Sequence, residues 1–312
     1  MSSNISSDSG LQREQSLSPS GNAQLSPTDG KVSESFTGIY PYQPLQSDGH
    51  IRLLLLKPPA SSSTQDIPVI SATLHEVNLS AVGETPCPPY KALSYEWGLP
   101  PSNPSDTPAI LLDNHPIHIR QNLYDALCSI LHNHHRLYGE SPLYLWVDAL
   151  CINQFDNREK GHQVRLMKES YETAEMVIVW LGMGTEHTDE AMKLINLEEE
   201  ELCRCVAKQS LTSREQYGLR DLLCEATYWK RIWILQEFVL ARDYVVLCNR
   251  ALATKEVFER ALKILIIFGS LRPLLWVLRP NGQRTLHDSP VLRIISSLGI
   301  RACIHRQRLM TG

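Results

Sequence analysis

The sequence predicts an α/β fold with a mainly parallel central sheet flanked by helices. Residues 143–147 are a short, continuous apolar run, which is typical of a strand covered on both faces. After Asp156, apolar residues recur at three- and four-residue steps through Val164, Met167, Tyr171 and Ala174, as in an amphipathic helix. A second apolar run, 177–181, follows and ends at Gly182. This order of strand, helix and strand is long enough for one right-handed crossover.

Composition divides the chain into three parts. Residues 1–36 are rich in Ser, Gln, Asp and Pro and have too little apolar surface to offset chain entropy, so we predict a disordered tail. Residues 37–268 carry the periodic apolar patterns of one folded domain. Residues 269–312 have no clear pattern and are predicted to be a C-terminal extension.

Several strands are predicted before the central unit. Residues 50–56, 69–79 and 90–98 are expected to be strands, the last running into a turn. Residues 110–119 suggest an added hairpin around Asp113-Asn114. Residues 121–138 share an apolar face and predict a helix that ends at Gly139.

Helices dominate the predictions from Asp156 onward. Asp156 and Glu159 have the spacing of a capping box. The later helices are predicted at 188–208, 213–226, 228–241 and 255–268, with a strand at 244–248. The acidic run 198–201 is expected to be a solvated face, because water screens the repulsion between like charges.

Bulk properties exclude several classes of protein. A net charge of -4 gives no electrostatic reason to expect nucleic acid or an anionic membrane as a partner. No apolar run is long enough to span a bilayer, and the N-terminus lacks the apolar core of a secretory signal. The eight scattered cysteines then favour reduced thiols, so we predict a cytoplasmic protein.

Glu237 is the sharpest candidate for chemistry. On a continuous helix 228–241, Trp229, Trp233 and Glu237 lie on one face. A carboxylate among indoles is poorly solvated, so its pKa is expected to rise, which suits acid–base or nucleophilic work. The alternative is that Glu237 pairs with Arg231, Arg242 or another base and orients a helix.

Polar residues also follow the central strand. Asp148, Asn153 and Gln154 come after the run 143–147, and in open α/β sheets ligands usually bind at that carboxyl edge. They are candidates for a pocket that binds ribose or amide groups. Alternatively, their side chains bond the backbone of their own loop, as Asp and Asn often do.

A second polar group ends the strand that begins at residue 90. Ser94, Tyr95 and Trp97 are predicted substrate-binding residues if this strand neighbours the central one, because the two groups then share one sheet edge. Trp97 could stack on a flat ring, but a core position is the alternative.

No metal site is predicted. The pair Cys203 and Cys205 has no partner pair at zinc-site spacing, and the histidines at 132–135 fall late in a helix, where cations suit its dipole. Cys151 has apolar neighbours, which favours a buried structural thiol over a nucleophile.

Three separated blocks resemble the fungal heterokaryon incompatibility (HET) domain. They are LSYEWG at 93–98, WVDALCINQ at 146–154 continuing to WLG at 180–182, and RIWILQE at 231–237. The resemblance covers about residues 37–265. Family members usually continue toward an Asp-Pro-Arg-Asp-like segment. Residues 300–308 read IRACIHRQR instead, so we expect a truncated or irregular extension.

HET domains in turn resemble TIR domains, which places this chain among TIR-like or flavodoxin-like folds. TIR domains carry a functional Glu after a Trp-rich motif, to which WILQE at 233–237 is similar, and ALSY at 92–95 resembles their first strand. The resemblance implies a role in non-self recognition and programmed cell death. It also implies cleavage of NAD, a substrate rather than a cofactor, with Glu237 as the acting carboxylate.

Two alternatives to this enzyme stay open. One is a non-catalytic module that signals by self-association as a homo-oligomer, with an unidentified incompatibility partner. The other is a degenerate, inactive relative.

Overall fold

A computed structural model describes residues 40–58, 69–79, 87–100, 103, 106–208, 211–231, 233–234, 237–238, 241–267, 276–278 and 284–286. Nine strands of these residues form one sheet in the order β5-β4-β2-β1-β6-β3-β7-β8-β9. They are β1 (His50–Lys57), β2 (Ser71–Asn78), β3 (Lys91–Tyr95), β4 (Ala109–Leu112), β5 (His115–His118), β6 (Leu143–Trp146), β7 (Met176–Trp180), β8 (Tyr244–Cys248) and β9 (Ala251–Thr254). β10 (Trp276–Leu278) and β11 (Arg284–Leu286) form a separate hairpin.

Eight α-helices accompany the sheet within the described residues. They are α1 (Gln121–His132), α2 (His134–Tyr138), α3 (Asp148–Cys151), α4 (Asn157–Thr173), α5 (Glu186–Ile195), α6 (Glu199–Ala207), α7 (Ser213–Arg220) and α8 (Lys255–Ile267). None of the helices described is long and apolar enough to cross a membrane. The predicted tail, residues 1–36, lies outside the described residues, as does most of 269–312.

The centre of the sheet is parallel. β6, β3, β7 and β8 all run in one direction, whereas β1, β5 and β9 each pair antiparallel with a neighbour. Every residue of β3 and β8 is buried, as expected for strands covered on both faces. The predicted α/β fold with a central sheet flanked by helices is therefore confirmed. The nine-stranded sheet is mixed, and its parallel strands lie at the centre.

β3 lies between the two strands of the predicted crossover unit. Ala92 of β3 stands opposite Trp146 of β6 on one side and Val177 of β7 on the other. The unit β6–α4–β7 thus exists, but its strands are not adjacent, and its handedness stays a prediction. This order brings the carboxyl ends of β3 and β6 side by side, which the predicted site requires.

Local signals are confirmed at several turns and helix ends. Asp113 and Asn114 both have positive φ, 48° and 64°, as a tight hairpin turn needs. Gly139, also at positive φ (58°), ends α2. Asp156 caps α4 by accepting the backbone N–H groups of Arg158 and Glu159.

Predicted helices are divided where asparagines intervene. The helix expected at 121–138 breaks at Asn133, whose side chain donates to the carbonyls of Ser129 (3.0 Å) and Arg250 (3.2 Å). The helix expected at 188–208 breaks after Asn196, which bonds the carbonyl of Met192 (2.8 Å). Such bonds compete with the helical ladder, so each break has a local cause.

Other differences lie at shorter elements. The α-helix predicted over 213–226 ends at Arg220 and continues as a π-helical turn, Asp221–Glu225. α3 and β9, of four residues each, were not predicted. The acidic run 198–201 is exposed, as expected.

Candidate functional site

A buried polar cluster joins the end of β3 to the segment that contains Glu237. The Glu237 side chain is 0% exposed. Ser94, buried near the end of β3, donates its hydroxyl to Glu237 Oε2 at 2.5 Å. The Ser94 hydroxyl also lies 2.7 Å from the hydroxyl of Tyr228. Two residues predicted as site members, 143 positions apart, therefore touch.

Arg231 completes this cluster with a bidentate ion pair. Its two terminal nitrogens donate to Glu237 Oε2 at 2.7 Å and Oε1 at 2.8 Å, and its guanidinium lies 5.6 Å from the centre of the Tyr228 ring. Burial by itself lowers the pKa of Arg231, but the charge and hydrogen bonds of Glu237 raise it above its usual value. The pairing is the one that the sequence offered as the alternative to catalysis.

The predicted continuous helix 228–241 is wrong. Residues Thr227–Lys230 form a 3₁₀ turn, and Arg231 is extended (φ -77°, ψ 139°). Among the residues described here, helical bonding is seen again between the Trp233 carbonyl and the Glu237 N–H (3.2 Å). Trp229 is buried while Trp233 is 45% exposed, so the proposed stripe of two indoles beside the carboxylate does not exist. The extended backbone at Arg231 comes before the turn that carries Glu237. The Arg231 guanidinium then binds the Glu237 carboxylate.

Asp148 follows the end of β6 after one intervening residue, at the start of α3, and is half-buried. Its Oδ2 accepts the indole N–H of Trp97 at 2.8 Å, and its Oδ1 accepts the backbone N–H of Ala149 at 2.7 Å. The pKa of Asp148 is raised to about 6, chiefly by burial. The charge of Glu237 also raises this pKa, whereas the Trp97 hydrogen bond and the charge of Arg231 lower it. Asp148 is thus electrostatically linked to the Ser94–Glu237 cluster.

Trp97 links the turn after β3 to the turn after β6. Besides its bond to Asp148, its ring is covered by the Arg120 guanidinium at 5.2 Å, and Arg120 also donates to the carbonyl of Gly98 at 2.8 Å. Trp97 is half-buried and is therefore neither a core residue nor a freely exposed ring. Its neighbour Tyr95 is buried, and burial raises the pKa of its hydroxyl.

Asn153 and Gln154 bond the backbone of their own loop. Asn153 Oδ1 accepts the N–H of Phe155 at 3.1 Å, and Gln154 Nε2 donates to the carbonyl of Asp148 at 2.8 Å. These are the contacts of the structural alternative named from the sequence. Both residues shape the loop that carries Asp148.

An arginine on β1 fixes the same loop, and the sequence reasoning missed it. Arg52 is 5% exposed and binds both carboxylate oxygens of Glu159, at 2.6 and 2.9 Å. It also donates to the carbonyl of Cys151 at 3.2 Å. Glu159 accepts the N–H of Asn153 (2.9 Å) rather than closing the predicted capping box with Asp156. An arginine inside the apolar run of β1 was the available signal.

Cys151 is a buried thiol at the end of α3. Burial raises the pKa of Cys151 to about 12, and its sulfur accepts the N–H of Val147 at 3.3 Å, as suits a structural thiol. In the part of the chain that the structure describes, no three His, Cys, Asp or Glu side chains are grouped to hold a metal ion.

Comparison with known proteins identifies the family. The model of the family described as Heterokaryon incompatibility protein (HET) matches residues 90–237, the span from β3 to Glu237. Over 268 residues the chain is 31% identical to "Heterokaryon incompatibility protein 6, OR allele" of Neurospora crassa, an alignment that covers 72% of this chain and 37% of that protein. The chain therefore spans well under two thirds of the length of this relative. No solved structure matches. The chain belongs to the heterokaryon incompatibility (HET) domain family.

Proposed function

We propose that this protein acts in heterokaryon incompatibility, the recognition of non-self between fungal cells, and that it triggers programmed cell death in the cytoplasm by cleaving NAD. The family match and the name of the Neurospora relative support the biological role. The seven cysteines described are all free thiols, which is consistent with a reducing compartment. NAD is the substrate in this proposal, and no further cofactor is needed.

One observation carries the enzymatic part of the proposal. Ser94 and Glu237 are in contact at the end of β3, and Asp148, after the neighbouring strand β6, is near enough for the charge of Glu237 to raise its pKa. Ligands of open α/β sheets usually bind there. Cleavage of the bond between nicotinamide and ribose develops positive charge on the ribose, which nearby carboxylates stabilise. This edge carries two carboxylates: Asp148, which is half-buried, and Glu237, which is fully buried and paired with Arg231.

The test measures nicotinamide released from NAD by purified protein. We expect turnover by the wild type, a loss of at least about 100-fold in Glu237→Gln, and no change in Glu169→Gln, whose side chain is exposed on α4. Circular dichroism confirms that each variant is folded. Equal turnover by wild type and Glu237→Gln removes Glu237 from the mechanism, and no turnover by folded wild type removes the enzymatic proposal.

A second candidate is a self-associating signalling module. The loops after β3, β6 and β7 expose Leu99 (92%), Phe155 (72%) and Met183 (49%), so three parallel strands end in loops with solvent-facing apolar side chains. Exposed apolar surface often marks an interaction site. The full burial of Glu237 against Arg231 also suits a purely structural role.

The two candidates differ in what they require of Glu237. The module predicts oligomers that grow with protein concentration and are weakened by Phe155→Ser. It also predicts that overexpression kills fungal cells without loss of NAD, even with Glu237→Gln. The enzyme predicts that NAD depletion and cell death are lost together in that variant. Scoring viability and NAD in the same cells separates them.

A further inference from the structure

We infer that Asp148 is the general base of the NAD hydrolysis proposed above and that Glu237 is a positioning residue that exchanges no proton. This inference rests on the proposed function. It assigns different roles to the two carboxylates, although the TIR-like motif draws attention only to Glu237.

Accessibility distinguishes the two carboxylates. Glu237 is 0% exposed; its Oε2 accepts from both Arg231 and Ser94, and its Oε1 accepts from Arg231. Asp148 retains part of its surface, and each of its oxygens accepts one bond, from Trp97 or from Ala149. A carboxylate oxygen has room for about two acceptor contacts. Each Asp148 oxygen therefore has an acceptor position left for a water molecule. Glu237 Oε1 has one as well, but its side chain is 0% exposed, so exposure is what separates the two carboxylates.

Burial, more than the charges around it, leaves Asp148 poised to take up a proton. The titratable groups that interact with it are Glu237, Arg231, Tyr95, Tyr171 and Cys151. Burial raises the pKa of both tyrosines and of the thiol, so these three are neutral near pH 7. Glu237 and Arg231 carry opposite charges and act on Asp148 in opposite directions. A base is most effective when its pKa lies near the working pH, and the pKa of Asp148 is about 6.

The step is balanced with water as the co-reactant. The bond between ribose C1′ and the nicotinamide nitrogen breaks, and its electron pair stays on that nitrogen. The water oxygen forms a bond to C1′ while Asp148 accepts a proton from the water. Asp148 then releases this proton to solvent. The products are nicotinamide, ADP-ribose and one proton, and the ionised form of Asp148 is the active one.

The pH profile of kcat tests this assignment, because each neighbour of Asp148 shifts the pKa of Asp148 in a known direction. Wild-type kcat should rise as the pH passes through about 6. Trp97→Phe should move that midpoint upward, because the indole hydrogen bond lowers the pKa of Asp148. Glu237→Gln should move it downward, because a negative charge is lost and Arg231 is released. Asp148→Asn should remove the rise and lower kcat by at least about 100-fold.

Asp243→Asn is the matched control. Asp243 is also half-buried and also accepts the N–H of the following residue, Tyr244, at 2.8 Å, but it precedes β8 at the opposite end of the sheet. Its profile should equal that of the wild type. A rise near pH 6 that persists in Asp148→Asn overturns the assignment, as does a midpoint that Trp97→Phe and Glu237→Gln leave unmoved.

A second measurement does not depend on turnover. In protein labelled with ¹³C at aspartate carboxyls, the signal absent from Asp148→Asn should titrate near pH 6, move upward in Trp97→Phe, and shift when NAD is added. A midpoint near the ordinary aspartate value of about 4 overturns the assignment. If the wild type turns over no NAD but this signal behaves as expected, the proposed function fails while the environment assigned to Asp148 stands.

Discussion

Replacing Arg231 with Met is expected to destabilise the fold by about 3–5 kcal/mol, the usual cost of breaking a buried ion pair by removing one partner. This large loss of stability is expected because the pair is buried: the side chains of Arg231 and Glu237 are 18% and 0% exposed. Without Arg231, the Glu237 carboxylate keeps only the Ser94 hydroxyl among the contacts described here. Methionine fills much of the volume of the arginine stem, so the loss is chiefly electrostatic.

Urea unfolding monitored by circular dichroism measures this change, and a fall in Tm of roughly 6–20 °C should accompany it for a domain of this size. The double variant Arg231→Met with Glu237→Leu should recover most of the loss, because no charge then stays buried. Lys168→Met is the control: its pair with Glu172 lies on the surface of α4, at 60% and 42% exposure, and should contribute about 0.5 kcal/mol or less. A change of less than about 1 kcal/mol in Arg231→Met refutes the reasoning.

Two further variants test the loops after β6 and β7. Arg52→Met leaves the largely buried Glu159 carboxylate with the N–H of Asn153 but without its ion-pair partner. It should therefore lower the free energy of unfolding by about 3 kcal/mol and speed amide hydrogen exchange in the Asp148 loop. Gly184→Ala should cost about 1–3 kcal/mol, because Gly184 has φ +68° and an added Cβ would lie 2.3 Å from Thr188 Oγ1 and 2.8 Å from Cys248 Sγ. Denaturant unfolding measures both.

Each of these variants has a matched control. Arg158→Met changes an exposed arginine on the helix that carries Glu159 and should leave stability nearly unchanged. Gly161→Ala lies within α4 with nothing near its added Cβ, so it should stabilise by roughly 0.5–1 kcal/mol. Equal effects of Gly184→Ala and Gly161→Ala, or wild-type exchange in Arg52→Met, would contradict the contacts on which these expectations rest.

The strands of the central sheet were predictable because their signal is local. Apolar runs at 143–147 and 177–181 located β6 and β7 to within a residue or so. The N-cap at Asp156 and the turn at Asp113 and Asn114 also depend on side chains within a few positions. At Asn133 the apolar periodicity favoured one long helix, whereas the side-chain hydrogen bonds of the asparagine favour a break. The periodicity alone therefore predicted one helix where the chain forms two.

The candidate site was predictable only in part. The three sequence blocks that carry the family resemblance supplied Ser94, Asp148 and Glu237, and the structure brings Ser94 and Glu237 into contact. Tyr228 was not recognised as a member, and the helical stripe of tryptophans was wrong. Arg52 was missed because its partner, Glu159, lies 107 residues away and no local pattern connects them.

Sequence by itself determined most strands of the central sheet and the family, since short-range periodicity and ordered motifs are present along the chain. The tertiary structure decided that β3 lies between β6 and β7, that Arg231 neutralises Glu237, and that Asp148 keeps partial access to water. These outcomes depend on which segments, far apart in the sequence, pack together and exclude water. Local propensity does not specify that pairing.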